Sequence, residues 1–133
     1  MHKVVVDTNV FISGILYGGN PQAIIEAWLN KEYTFCLSPQ LKAEIIDKLQ
    51  NKFSIPTRNL QNIEEALNTR TAKYIPKKKL FICKDPTDNF LLELALKAQA
   101  DYLISGDKLV LELKKYDKIK ILSPKDFLRL LES

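Results

Sequence analysis

Five carboxylates in this chain stand where short apolar runs give way to polar turns. Asp7 follows three valines directly, Asp85 and Asp88 bracket a Pro-Thr pair, Asp107 follows Ser-Gly, and Glu44 lies in the segment opened by Ser38-Pro39. Acids gathered in one place repel one another, and a hard divalent cation resolves the repulsion. Mg²⁺ or Mn²⁺ takes oxygen ligands, keeps several waters, and is held by one or two carboxylates while others act through water. Such a site lowers the pKa of a bound water and stabilises charge on a phosphate without a covalent nucleophile. Phosphodiester hydrolysis is the chemistry that matches. It also matches the composition, because His2 is the only histidine and a design built on an imidazole base is disfavoured.

Each acid has an ordinary explanation as well. Asp85 can be a turn residue or cap, Asp107 a cap, and Asp88 can simply favour the positive end of a helix, an effect of about 0.3–1 kcal/mol. Asp7 is harder to explain that way, since a carboxylate at the buried end of a central strand is costly unless paired or bound to metal. Glu44 falls at the rim of an apolar helical stripe, where it can reach a cleft or pair with Lys48 at i, i+4. The joint pattern outweighs the separate explanations, because four converging caps would repel.

The elements that must position these residues are legible. Lys3 to Val6 is a continuous β-branched strand, and a helical pattern runs from Val10. Gly18-Gly19-Asn20-Pro21 interrupts, with Pro21 opening a second helix to about Asn30 and a second strand at Thr34 to Leu37. Ser38-Pro39 reads as a cap followed by Pro at the first helical position, with Leu41, Ile45, Ile46, Leu49 and Phe53 as the stripe. After Ile55-Pro56-Thr57 a polar helix continues to about Lys73. Leu80 to Cys83 is expected to be a third strand, Asn89 to Gln99 a helix, Tyr102 to Ile104 a fourth strand followed by a short helix, and Lys118 to Leu122 a fifth, with Ser123-Pro124 capping a last helix. Strands alternating with helices predict an α/β fold with a parallel sheet covered on both faces. In such sheets ligands bind outside the carboxyl ends of the strands, where Asp7, Ser38, Asp85 and Asp107 fall.

A length of 133 residues suits one domain spanning 1–133, and the short apolar runs give no bilayer span, so a soluble cytoplasmic protein without membrane association is expected. Cys36 and Cys83 end apolar runs and read as structural thiols. Net charge is only +4, but Lys73, Lys77, Lys78, Lys79 and Lys84 crowd one connection, a solvated loop or an anion-binding one.

The residues Val-Val-Asp7-Thr8-Asn9-Val-Phe-Ile-Ser13-Gly, Ser38-Pro-Gln-Leu-Lys-Ala-Glu44, Asp85-Pro-Thr-Asp88-Asn89-Phe-Leu-Leu-Glu-Leu-Ala and Ala-Asp-Tyr-Leu-Ile-Ser105-Gly106-Asp107-Lys together resemble the PIN-domain family, and within it the VapC-like toxins of type II toxin-antitoxin pairs. The resemblance covers nearly the whole chain. It implies a three-layer α/β/α fold with a five-stranded parallel sheet and a metal-dependent ribonuclease, with Asp7, Glu44, Asp88 and Asp107 as catalytic, Mg²⁺- or Mn²⁺-binding acids. Thr8, Asn9 and Ser105 match positions that orient those acids or their waters, and Asp85 is similar to an accessory acid. A homodimer and a cognate antitoxin are the implied partners. The five lysines then gain a role on RNA phosphates, with Tyr74 and Phe81 as candidates to stack on bases, although aromatics beside a strand are more often core. One departure from the family pattern is Leu109, where a further Asp is common, which leaves one or two metals open.

Two other readings compete. An Asp after the first strand also suits aspartyl-phosphate phosphotransfer, but Asn9 stands where haloacid-dehalogenase-like phosphatases need a second Asp, and a receiver would want an acid paired with Asp7. The other is a non-catalytic RNA- or protein-binding module on the same fold.

Overall fold

The computed structural model describes all 133 residues. In chain order the elements are β1 (Lys3–Val6), α1 (Thr8–Leu16), α2 (Gly19–Leu29), β2 (Thr34–Leu37), α3 (Pro39–Asp47) running into a π-helical turn (Lys48–Lys52), α4 (Thr57–Thr69), β3 (Ala72–Lys73), a 3₁₀ turn (Pro86–Asp88), α5 (Asn89–Ala98), β4 (Tyr102–Ile104), α6 (Lys108–Leu111), β5 (Lys115–Tyr116), β6 (Ile119–Leu122) and α7 (Pro124–Glu132). The sheet order is β3-β2-β1-β4-β6-β5, parallel throughout except for the β5–β6 pair. This is the expected α/β architecture, with six strands in place of five.

The valines of β1 are fully buried, as a strand flanked by β2 and β4 and covered on both faces requires. The chain winds outward from β1 to β2 and β3, then returns to β4 on the other side. Right-handed crossovers in opposite directions put their helices on opposite faces. Accordingly α5 lies against β1, β2 and β4, while α1 and α2 pack on each other and α2 on α7. The aromatic rings of Phe11, Trp28 and Phe35 meet edge-on or tilted at 5.1–5.9 Å, and Phe127 of α7 joins Tyr33 and Tyr102. No helix is long and apolar enough to cross a membrane.

Three expectations are corrected. Leu80 to Cys83 is not a strand: only Leu80 is buried, and its neighbours turn to solvent. The third strand is Ala72–Lys73, in the stretch read as the end of the polar helix, which stops at Thr69. A two-residue strand carries too few side chains for a visible alternation. The additional strand, β5, forms an antiparallel hairpin with β6 through Asp117 at φ 54°, a left-handed position that Asp tolerates better than most residues. Finally, the stripe after Ser38 does not continue as regular helix to Phe53, since the last turn widens at Lys48–Lys52.

Gly14 marks where α1 and α2 approach most closely. A Cβ there would lie 2.5 Å from the Pro21 carbonyl oxygen and 2.6 Å from Ile25 Cγ1. The backbone contact cannot rotate away, so Gly14→Ala is expected to cost about 2–3 kcal/mol. Urea unfolding checks this, and a loss under about 0.5 kcal/mol would show that the helices can part freely.

Candidate active site

The return of the chain across β1 makes the β1–β4 boundary the switch point of the sheet, and the acids collect at its carboxyl end. Asp7 follows β1 and is 6% exposed. Its Oδ2 accepts from Ser105 Oγ at 2.8 Å and its Oδ1 from the Asn9 amide at 3.3 Å, so the same carboxylate caps α1. That cap is why α1 begins at Thr8, ahead of the expected Val10. Ser105, after β4, is fully buried, and its Oγ also accepts from the Asp107 amide at 3.0 Å. One hydroxyl thus ties the ends of two adjacent strands.

Glu44 reaches the cluster from α3. Its Oε2 accepts from the buried Thr8 hydroxyl at 3.3 Å. The alternative partner, Lys48, turns instead to Asn9 Oδ1 at 3.2 Å. Asp107 caps α6 through the Leu109 amide at 2.8 Å and stays half-buried beside Asp7. Asp85 is exposed and engaged with the Thr87 amide and hydroxyl at 3.0 and 2.8 Å, which hold its carboxyl below the usual range. Its observed contacts are those of a turn former.

Asp88 is different. It ends the 3₁₀ turn ahead of α5, and its Oδ2 is shut from solvent with no hydrogen-bond partner. Burial, then the charges of Asp7, Asp107, Asp85 and Glu44, push its carboxyl up to about 6. Asp7 is raised too, by burial first and by Asp107, against the opposing pull of Ser105, Asn9 and Lys48. The charges of the other four acids thus all reach Asp88. Cys83 stands beside them, its thiol pushed up to about 11 by burial and then by Asp88, Asp85 and Asp107, so it remains an unreactive thiol at neutral pH. Cys36 is buried and likewise raised to about 11.

The donor set is all oxygen, the choice of Mg²⁺ or Mn²⁺, and the orphaned Asp88 Oδ2 is the kind of atom a cation satisfies. No three of these side chains stand as a ready-made metal cage. The enclosed, doubly bonded Asp7 is poorly presented as a phosphate acceptor, which weighs against the aspartyl-phosphate reading.

Two hollows border the turns that carry Asp107 and Asp88. A hollow of about 330 Å³ is lined by Asn9, Val10, Ser13, Gly106, Asp107 and Pro124. Another of about 240 Å³ is lined by Lys79, Phe81, Thr87 and Asn89 among others. A larger one, about 600 Å³, opens near Met1, Thr34 and Ala72 at the opposite ends of the strands, and no carboxylate lines it. All five lysines are exposed. Lys73 donates to the Asn68 carbonyl and Lys84 pairs with Glu112 at 3.6 Å, while Lys77, Lys78 and Lys79 form no ion pair.

Three residues at the site escaped the sequence reading. Lys48 carries a signal in the sequence, its i, i+4 spacing from Glu44, but that spacing points to Glu44 and not to Asn9. Asn89 and Glu93 were read only as part of a helix, yet their side chains are buried and hold the amides of Ile82, Cys83 and Leu80. A polar residue on an otherwise apolar helical face was the available signal.

Asp88 generates a prediction for the chelated protein. Its folded value, about 6, lies above the ordinary 3.8, so the native state keeps that proton longer than the unfolded chain. The carboxyl therefore costs nothing at low pH, and stability is lost as pH rises through that window. Asp88→Asn is expected to unfold about 1 kcal/mol less readily than the parent near pH 7, after discounting for partial exposure, with the advantage vanishing below pH 3.8. Thermal melts across pH check this, and a less stable variant at neutral pH would show that Asp88 is not strained.

The sequence profile of the PIN domain matches residues 3–109, a stretch that includes Asp7, Glu44, Asp88 and Asp107. The chain is also similar to the uncharacterized protein MJ1680 of Methanocaldococcus jannaschii, 29% identical over 139 residues that cover 95% of this chain and 89% of the relative. With the profile spanning far more than half of the sequence, from the first strand to the turn after β4, the chain belongs to the PIN-domain family.

Proposed function

We propose that this chain is a metal-dependent endoribonuclease that hydrolyses RNA phosphodiester bonds at the carboxyl end of β1 and β4. PIN domains are commonly nucleases. The observation that carries the reading is the buried, unpartnered Asp88 oxygen facing the charge of four other acids. A fold keeps such repulsion when something cationic relieves it.

In this reading Asp7, Glu44, Asp88 and Asp107 hold the cation. Bound Mg²⁺ or Mn²⁺ supplies positive charge against the phosphate and the Lewis acidity that hydrolysis needs. Ser105 and the Asn9 amide aim the two oxygens of Asp7, Thr8 steadies Glu44, and Lys48 offsets part of the negative charge beside Asn9. Asp85 contributes by shaping the turn that presents Asp88. Lys77, Lys78 and Lys79, with Lys73 and Lys84 at the ends of the same connection, lie along RNA phosphates. The toxin role, a cognate antitoxin, a homodimer and a cytoplasmic setting are part of the proposal on the strength of the sequence motifs.

A non-catalytic binding module is the second reading, favoured by the acids not standing as a closed cage. Cleavage of a mixed RNA pool separates the two. The wild-type chain with Mg²⁺ or Mn²⁺ should cut RNA, and chelator or Asp7→Asn should abolish cutting. Metal-independent cutting, or equal activity in both proteins, would sink the mechanism. Ser105→Ala keeps all four carboxylates but removes the hydroxyl that fixes Asp7 and the Asp107 amide, and should lower metal affinity or activity about 10–100-fold. Wild-type activity in that variant would remove Ser105 from the site.

A further inference from the structure

Between the sheet edge and the acidic turn runs a connection in which three lysines, Lys77 to Lys79, lead into an apolar run, Leu80 to Cys83. Leu80 is buried, while Phe81 beside it is 88% exposed. Singly exposed apolar residues are ordinary on an unanchored loop. This one is anchored on both sides. The Leu80 amide donates to Glu93 Oε2 at 2.9 Å, and the Ile82 and Cys83 amides both donate to Asn89 Oδ1, at 3.0 and 2.9 Å. Glu93 and Asn89 are 9% and 7% exposed, both on α5. Two buried polar side chains therefore pin the backbone before and after Phe81, and the ring is held out into water.

A buried carboxylate used to hold one amide is a costly device, so the position of this loop is specified by the core. The ring borders the hollow that Lys79, Thr87 and Asn89 also line, next to the turn that carries Asp88. Lys77, Lys78 and Lys79 precede it with no ion pair of their own. An aromatic face next to free cations complements a polyanion that carries exposed bases. Stacking of that kind needs an unpaired base and is indifferent to which base it is.

We propose that Phe81 is a stacking platform for an unpaired nucleotide of an RNA strand, seated beside the acidic cluster, with Lys77, Lys78 and Lys79 on the flanking phosphates. The proposal rests on the ribonuclease reading of the same site and assigns within it the residue that would hold a base beside the acids. Tyr74, the other aromatic of the connection, is half-buried against the core and is excluded from this role.

The test uses the full chain carrying Asp7→Asn, so that binding is read without cleavage, and a labelled unstructured oligo-RNA beside a duplex RNA of equal length. Phe81→Ala should weaken binding of the single strand about tenfold and leave the duplex unchanged, while Phe81→Tyr should stay within about twofold. The exposed position predicts the same melting temperature for all three. Phe81→Trp adds a direct signal to a chain whose only tryptophan, Trp28, is buried: its new emission should be quenched by the oligo-RNA. Unchanged single-strand affinity in Phe81→Ala, equal loss for both RNAs, or an unquenched F81W protein at saturating RNA would overturn the proposal. So would loss of self-association in Phe81→Ala with RNA affinity intact, which would make the ring a protein contact. If the RNA binds through Phe81 but the wild-type chain cuts nothing, the ribonuclease reading fails while the stacking claim stands.

Discussion

The hydrogen bond from Ser105 to Asp7 is the contact on which the site depends. It joins the ends of adjacent central strands across 98 residues of sequence, at 2.8 Å and out of reach of water. A carboxylate left unpartnered there would be expelled or protonated. Because the hydroxyl also accepts the Asp107 amide, one buried group sets the position of two acids and the start of α6. The same Asp7 carboxylate receives the Asn9 amide and starts α1. Strand pairing, two helix starts and the acidic crevice are therefore one construction.

Around it the charges are arranged in opposition. Hydrogen bonds and Lys48 favour the ionised form of Asp7, while burial and Asp107 oppose it, and opposition wins. Asp88 has no such support, and its carboxyl rises to about 6. Lys48, which reaches Asn9, is also where the π-helical turn begins. The stability given up in gathering these acids is supplied by the core beneath, where β1 and α5 are buried almost along their whole length.

Much of this was readable from the residues. Three valines before Asp7 announced a central strand with a buried acid at its end, and Ser38-Pro39 and Ser123-Pro124 announced two helix starts, both with the serine hydroxyl as cap. Four separate segments carry acids to one edge of the sheet, and in the structure the charges of Asp7, Glu44 and Asp107 all bear on Asp88. What failed did so because local pattern is silent on tertiary partners. Leu80 to Cys83 has the apolar run of a strand, yet its amides are taken by Asn89 and Glu93 instead of a ladder. The i, i+4 spacing left Glu44 free either to pair with Lys48 or to reach a cleft, and tertiary contacts decide it: the lysine crosses to α1 and the glutamate bonds to Thr8.

Calorimetric titration with Mn²⁺ near pH 6 asks directly whether the acidic cluster binds a hard divalent cation. With Asp88 part-protonated in the apo protein, binding must displace protons, visible as a dependence of the heat on the buffer's ionisation enthalpy. Saturable binding with proton release is expected in the wild-type chain, with loss of both in Asp88→Asn. Absence of saturable binding, or the same binding in both proteins, would contradict it.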